Sequence, residues 1–175
     1  CRKHAGMAVQ SARVGQMDME SALKIYLQGG FVGIVQRLDQ PVEGVLVFGK
    51  TPKATAALNR QQQEGILKKW YFAVFCGKPE SEGGQLVDYL LKDGRSNRSA
   101  VVPERTPGSR KAVLNYRVLQ WKEPLGVAQI RLLTGRHHQI RVQMASHGMA
   151  LAGDGKYGAT SPESGGTYSK GEKER

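Results

Sequence analysis

The sequence predicts a strand-rich α+β fold. Apolar, β-branched or aromatic runs that read as strands recur at 31–35, 45–48, 70–75, 113–119 and 127–133. Few stretches carry helical caps or helical spacing, and several strands separate them. With 175 residues, 39% of them hydrophobic, the chain is one domain of ordinary size or part of a larger one, and it has enough apolar residues for a core.

The elements follow in order. Residues 10–28 are polar and then weakly apolar at Leu23, Ile25 and Leu27, which suggests a short helix ending before Gly29-Gly30. The strand at 31–35 is interrupted by Gln36-Arg37-Leu38-Asp39-Gln40-Pro41. A continuously apolar strand at 45–48 is expected to be buried. Thr51 before Pro52 marks a helix start, a capping hydroxyl ahead of proline in the first turn, and Ala54, Ala57, Leu58 and Gln61 keep helical spacing until Gly65. Strands at 70–75 and 85–91 come next. Residues 92–111 carry Lys92, Arg95, Arg98, Arg105, Arg110 and Lys111 against Asp93 and Glu104, with Pro103, Pro107 and Gly108 among them, and read as an exposed basic loop or hairpin excursion. Pro124-Leu125-Gly126 turns between the strands at 113–119 and 127–133. A helix at 138–145 puts Ile140 with Met144 on one face and Arg141 with Ala145 on the next, with Gly148 near its end. The expected division is a folded domain over 1–158 and a flexible polar tail or truncated connection over 159–175.

Lys and Arg number 26 against 15 Asp and Glu, a formal charge of +11. This favours a polyanionic partner, although many basic proteins have no nucleic-acid role. No apolar run reaches the ~20 residues a membrane helix needs. Two cysteines, Cys1 and Cys76, supply neither a disulfide framework nor a metal quartet, and they fit a reducing, cytoplasmic compartment. No phosphate-loop or dinucleotide glycine pattern is present, so ATP and nicotinamide readings lack support.

Asp39 is the sharpest local feature. It follows a strand-like run and is held in a defined loop by Pro41; a nucleophile, a base, a helix cap and a plain surface-turn aspartate all fit it. Asp154, in Gly153-Asp154-Gly155, reads as a turn, and Asp18, Asp88 and Asp93 have no supporting constellation. In Gly135-Arg136-His137-His138-Gln139-Ile140-Arg141 the two arginines suit a carboxylate or phosphate. Adjacent histidines diverge on a helix, so metal binding is not expected. In Lys68-Lys69-Trp70-Tyr71 the alternation fits a nucleic-acid grip, or equally Trp70 and Phe72 in the core with Tyr71 at an edge.

Four passages, taken together, resemble the RluA-type RNA pseudouridine synthases. They are Lys3-His4-Ala5-Gly6; Gln36-Arg37-Leu38-Asp39 with Gly44 and the apolar run after it; Lys69-Trp70-Tyr71-Phe72-Ala73; and Thr134-Gly135-Arg136-His137-His138-Gln139-Ile140-Arg141, continuing to Gly153-Asp154-Gly155-Lys156-Tyr157-Gly158. The resemblance spans roughly 2–158. It implies a mixed, largely antiparallel central sheet flanked by helices and loops, with 1–158 as the catalytic domain. The family's essential aspartate falls on Asp39, its active-site tyrosine on Tyr71 and the basic partner of the aspartate on Arg141. Arg37 matches the arginine linked to nucleotide flipping, and Arg136 a motif arginine assigned to substrate backbone. Lys69, Arg110 and Lys111 are expected to add RNA contacts.

The implied reaction isomerises uridine in ribosomal or transfer RNA to pseudouridine, with no cofactor and no metal, by a monomer. The alternative is a catalytically inactive RNA-binding or ribosome-assembly protein with the same fold. Gln36, His4 and Val42-Glu43 replace the family's histidine, proline and Thr-Ser. The abrupt opening, and the absence of the family's closing strand, predict a piece of a longer chain.

Overall fold

The computed structural model describes residues 1–11, 13 and 15–158. The tail expected to be mobile lies outside them. The chain divides into two compact units, Cys1–Lys68 and Lys69–Arg175.

In the first unit, Asp18 starts helix α1 (Met19–Tyr26) by accepting from the Ser21 amide at 2.7 Å, while its other oxygen takes the Ser11 amide at 2.7 Å. Asp18 thus has the constellation the sequence did not reveal, that of a helix cap. Strand β1 (Arg2–Lys3) has an antiparallel partner in β3 (Gly44–Val45), and β2 (Gly33–Ile34) has one in β4 (Phe48–Gly49). Helix α2 (Pro52–Gln63) starts as expected, with the Thr51 hydroxyl accepting from the Ala54 amide at 3.1 Å.

The strands expected at 31–35 and 45–48 shrink to these two-residue ladders. Their apolar residues serve different surroundings: Val45 is exposed, Leu46 is buried and Val47 is again exposed. Gly33 and Gly49 pair with each other, and a Cβ on either would overlap Thr55 of α2, so this short ladder comes as close to the helix as glycine permits.

The second unit is one six-stranded sheet in the order β10-β5-β9-β8-β6-β7, antiparallel at every described neighbour. Its strands are β5 (Lys69–Cys76), β6 (Gly83–Asp93), β7 (Arg98–Val102), β8 (Arg110–Lys122), β9 (Leu125–Leu132) and β10 (Ala150–Leu151), and helix α3 (Gln139–Ser146) packs on one face. Phe75, Leu86, Leu114, Tyr116, Ala128 and Ile130 of the sheet meet Met144 and Met149 in the main core, and a smaller cluster joins Leu90, Ala112 and Val142 to Tyr157. Gly126 has a steric reason: a Cβ there would enter the Phe75 ring. Residues 92–111 form a hairpin more than a loop, since Asp93 pairs with Arg98 and β7 returns along β6. Among the described residues no helix is long and apolar enough to cross a membrane.

Candidate active site

Asp39 belongs to the first unit and sits half-buried on the irregular segment between β2 and β3. The backbone around it is fastened from the N-terminal side. The Lys3 ammonium, fully enclosed, donates to the carbonyls of His4 at 3.1 Å and Gln40 at 3.0 Å. The Gly6 amide donates to the same Gln40 carbonyl at 2.9 Å, and the Gln40 side chain returns a 2.9 Å bond to the Gly6 carbonyl. A turn closes on Asp39 itself, whose carbonyl accepts from the Val42 amide at 3.0 Å.

Burial lowers the Lys3 pKa, and the negative charges of Asp39 and Glu43 pull it back upward. Lys3 therefore contributes a buried positive charge to the surroundings of Asp39. Sequence reasoning missed it as a site residue, although it opens the first of the four family-like passages. Arg37, two residues before Asp39, is exposed.

The second unit holds Tyr71 and Arg141. Tyr71 lies on the α3-facing side of β5 and packs against the main core. Trp70 and Phe72 point to the other face and are exposed, the reverse of the arrangement in which they fill the core and Tyr71 sits at an edge. Strand alternation explains the reversal: Tyr71, Ala73 and Phe75 share one parity, and Phe75 is the residue that is completely buried. Lys69 shares the parity of Tyr71; it is half-buried near Gly135, and burial lowers its pKa.

Arg141 projects from α3 and grips Asp154 with two bonds, Nε to Oδ2 and Nη2 to Oδ1, both 2.7 Å. Asp154 is buried and accepts a third bond from the Lys156 amide at 3.0 Å. Its carboxyl is held below the usual range, first by the hydrogen bond from Arg141 and against the opposing effect of burial. The aspartate expected to be a plain turn residue is thus one half of a forked ion pair. The Tyr157 ring lies under the guanidinium, 5.1 Å from centroid to carbon. The Tyr157 hydroxyl accepts from the Ser99 amide at 2.9 Å and shares a 2.8 Å bond with His138 Nδ1.

The loop before α3 is equally tied down. Gln139 Oε1 accepts from the Thr134 hydroxyl at 2.8 Å and the Arg136 amide at 2.9 Å, while its Nε2 donates to the Val113 carbonyl at 3.1 Å. His138 takes a left-handed conformation at φ 52°, which lets the chain turn into the helix. The His137 and His138 rings stack at 3.7 Å, and His137 bridges Ser99 at 2.8 Å and Asn97 at 3.0 Å. Arg136 donates from Nε to the Lys111 carbonyl at 2.9 Å. Arg110 and Lys111 are exposed on β8. Asp88 also has partners the sequence did not suggest: the Gln143 amide at 2.7 Å and His147 Nε2 at 3.1 Å.

A family model described as RNA pseudouridylate synthase matches residues 1–146, a range that includes Asp39, Tyr71 and Arg141. The chain belongs to this synthase family. Relatives named ribosomal large subunit pseudouridine synthase D and C place it in the RluA-type branch. The chain is 42% identical over 135 residues to ribosomal large subunit pseudouridine synthase D of Nitrosomonas europaea, covering 75% of this chain and 37% of that protein. It is 37% identical over 167 residues to the uncharacterized RNA pseudouridine synthase YhcT of Bacillus subtilis, covering 91% and 54%.

The chain therefore spans between about a third and about half of the length of these two relatives. Among solved structures, human RNA pseudouridylate synthase domain containing 4 superimposes with a TM-score of 0.74 at 22% identity, over 89% of this chain and 64% of that one. That likeness supports the synthase fold.

Proposed function

We propose that this chain isomerises uridine in structured RNA, ribosomal or transfer, to pseudouridine. The observation that carries the reading is the family match over residues 1–146, a range that includes Asp39, Tyr71 and Arg141. In the reaction the bond from the ribose carbon to the uracil nitrogen breaks, the retained base turns, and the same ribose carbon bonds to a ring carbon. The proton on that ring carbon is lost and the freed nitrogen gains one, so atoms balance without an oxidant or a cofactor.

Asp39 acts as the carboxylate of the reaction, either as nucleophile toward sugar or base or as the base that removes a sugar proton. Arg141 stabilises the charge of that carboxylate, and Tyr71 sets the plane of the ring. The target leaves its stack at a cost of a few kcal/mol, and Arg37 occupies the vacated space or holds a flanking phosphate. Arg136, Lys69, Arg110 and Lys111 supply backbone contacts, which position RNA without reading sequence. The protein acts as a monomer in the cytoplasm.

The test is Asp39→Asn, assayed for pseudouridine by mass spectrometry of treated RNA beside a binding measurement. Product is expected to vanish while RNA is still bound. Turnover at the parent rate removes Asp39 from the mechanism; a parent chain that binds RNA but forms no product favours an inactive RNA-binding protein.

A further inference from the structure

The sheet of the second unit has a face that the Tyr71–Arg141 chemistry does not use. On β5, Trp70 is 53% exposed, Phe72 70% and Val74 48%, all pointing away from α3 and from Tyr71. Across the strands, Trp70 stands opposite Arg131, then Asn115, then Gln85. Phe72 stands opposite Gln129, then Arg117. Val74 stands opposite Val127, then Gln120 across the register shift in β8. The Arg131 guanidinium lies 5.9 Å from the Trp70 ring centroid, and the Gln85 amide donates to Asn115 at 3.0 Å.

None of these three rows contains a carboxylate; the residues are aromatic, aliphatic, amide or arginine. We propose that this outer face is a second RNA-binding surface, a platform on which unpaired bases stack over Trp70 and Phe72 while Arg131 and Arg117 meet the phosphates.

Three physical points favour RNA as the occupant. Trp70 and Phe72 are two residues apart on one strand, so their rings are spaced by roughly 7 Å, two strand rises. That spacing offers separate seats for two bases. Every base has a π-face, so such seats need no particular sequence, and arginines beside them add cation–π and phosphate contacts. A protein partner for a cationic face would be expected to bring carboxylates and to find a continuous apolar centre, whereas here arginine and amide side chains follow Trp70 and Phe72 directly on β9, and the Val74–Val127 row ends at Gln120. The formal charge of +11 points the same way.

The test uses an RNA with no uridine, so that it offers the isomerisation chemistry no target. The probe is a fluorescein-labelled eight-nucleotide strand of adenosine and cytidine, followed by anisotropy at fixed salt. The outer-face variants are compared with the parent chain, so contacts made elsewhere are common to both and the difference reads this surface alone. Trp70→Ser with Phe72→Ser should weaken binding at least tenfold, with circular dichroism unchanged because both positions are exposed. Arg131→Gln should weaken binding several-fold and reduce the salt slope by about one contact. Trp70→Phe should keep most of the affinity. Binding by the double variant at parent strength overturns the proposal, as does a parent chain that does not bind the probe. A concentration-dependent dimer in sedimentation velocity that the double variant abolishes, with RNA affinity untouched, reassigns the face to self-association.

Discussion

Arg141 is held from two sides. A guanidinium on a helix has many rotamers, and fixing a long side chain costs up to about 2 kcal/mol of entropy. Here the two bonds to Asp154 and the Tyr157 ring fix it. Arg141→Ala should lower kcat by about 10²–10³-fold, in the range of lost electrostatic stabilisers, and reduce RNA affinity much less. Steady-state kinetics beside a binding titration separates the two, and equal losses would make Arg141 a phosphate contact.

Asp154→Asn tests the other half of the pair. The folded carboxyl titrates below its ordinary value. Its contribution is therefore complete above the unfolded pKa near 4 and is lost as pH falls through the lowered folded value. The variant should be less stable at pH 7 by about 1–3 kcal/mol. The gap should narrow as the solution is acidified toward pH 3, measured by urea unfolding at both values. A gap independent of pH would mean that the carboxylate charge does not matter.

Elements were legible where a local rule was decisive. The Thr51 cap before Pro52 and the strand at 70–75 needed nothing beyond neighbouring residues, whereas which face of that strand is buried did not follow from them. The expected strands at 31–35 and 45–48 are β-branched or apolar, yet each reaches only two-residue ladders with partners distant in sequence, which local composition does not reveal. Asp154 was misread for a related reason. Gly153-Asp154-Gly155 is a turn by composition, and its partner is thirteen residues back on α3, beyond any local pattern. Lys3 and Tyr157 were quoted in the family-like passages yet gained roles only through contacts distant in sequence.

The β5–β9 contact offers a prediction at this same scale. Gly126→Ala forces a methyl into the Phe75 ring, which is fully buried, so the core must shift. A loss of about 1–3 kcal/mol is expected in denaturant unfolding. Gly155→Ala is the control, because a Cβ there meets nothing within 4 Å.

At the scale of the whole molecule, the proposed function makes charge the governor of how RNA is met. An excess of 11 positive charges favours backbone contact by counterion release. If about four phosphates of a single strand are neutralised, raising salt from about 50 to 200 mM should weaken binding roughly fifty-fold. Filter binding across that range checks this; a flat profile would assign the affinity to stacking alone. The α+β class follows from strand-like runs alternating with few helices, and the largely antiparallel sheet is what the family resemblance implies. The division into two units follows from neither, because Lys68 and Lys69 fall in a run whose composition does not change.

The strand β10 places a further constraint on chemistry and stability alike. It hangs the segment that carries Asp154 on the free edge of β5: Leu151 pairs with Phe75, the Ala152 amide donates to the Val74 carbonyl at 2.9 Å, and the Asp154 amide donates to the Leu151 carbonyl at 3.1 Å. One ribbon of backbone is therefore the common mount for the Tyr71 ring and for the anchor that aims Arg141. A change that loosens this margin displaces both together, so paired substitutions at Tyr71 and Asp154 should cost less than the sum of the separate ones.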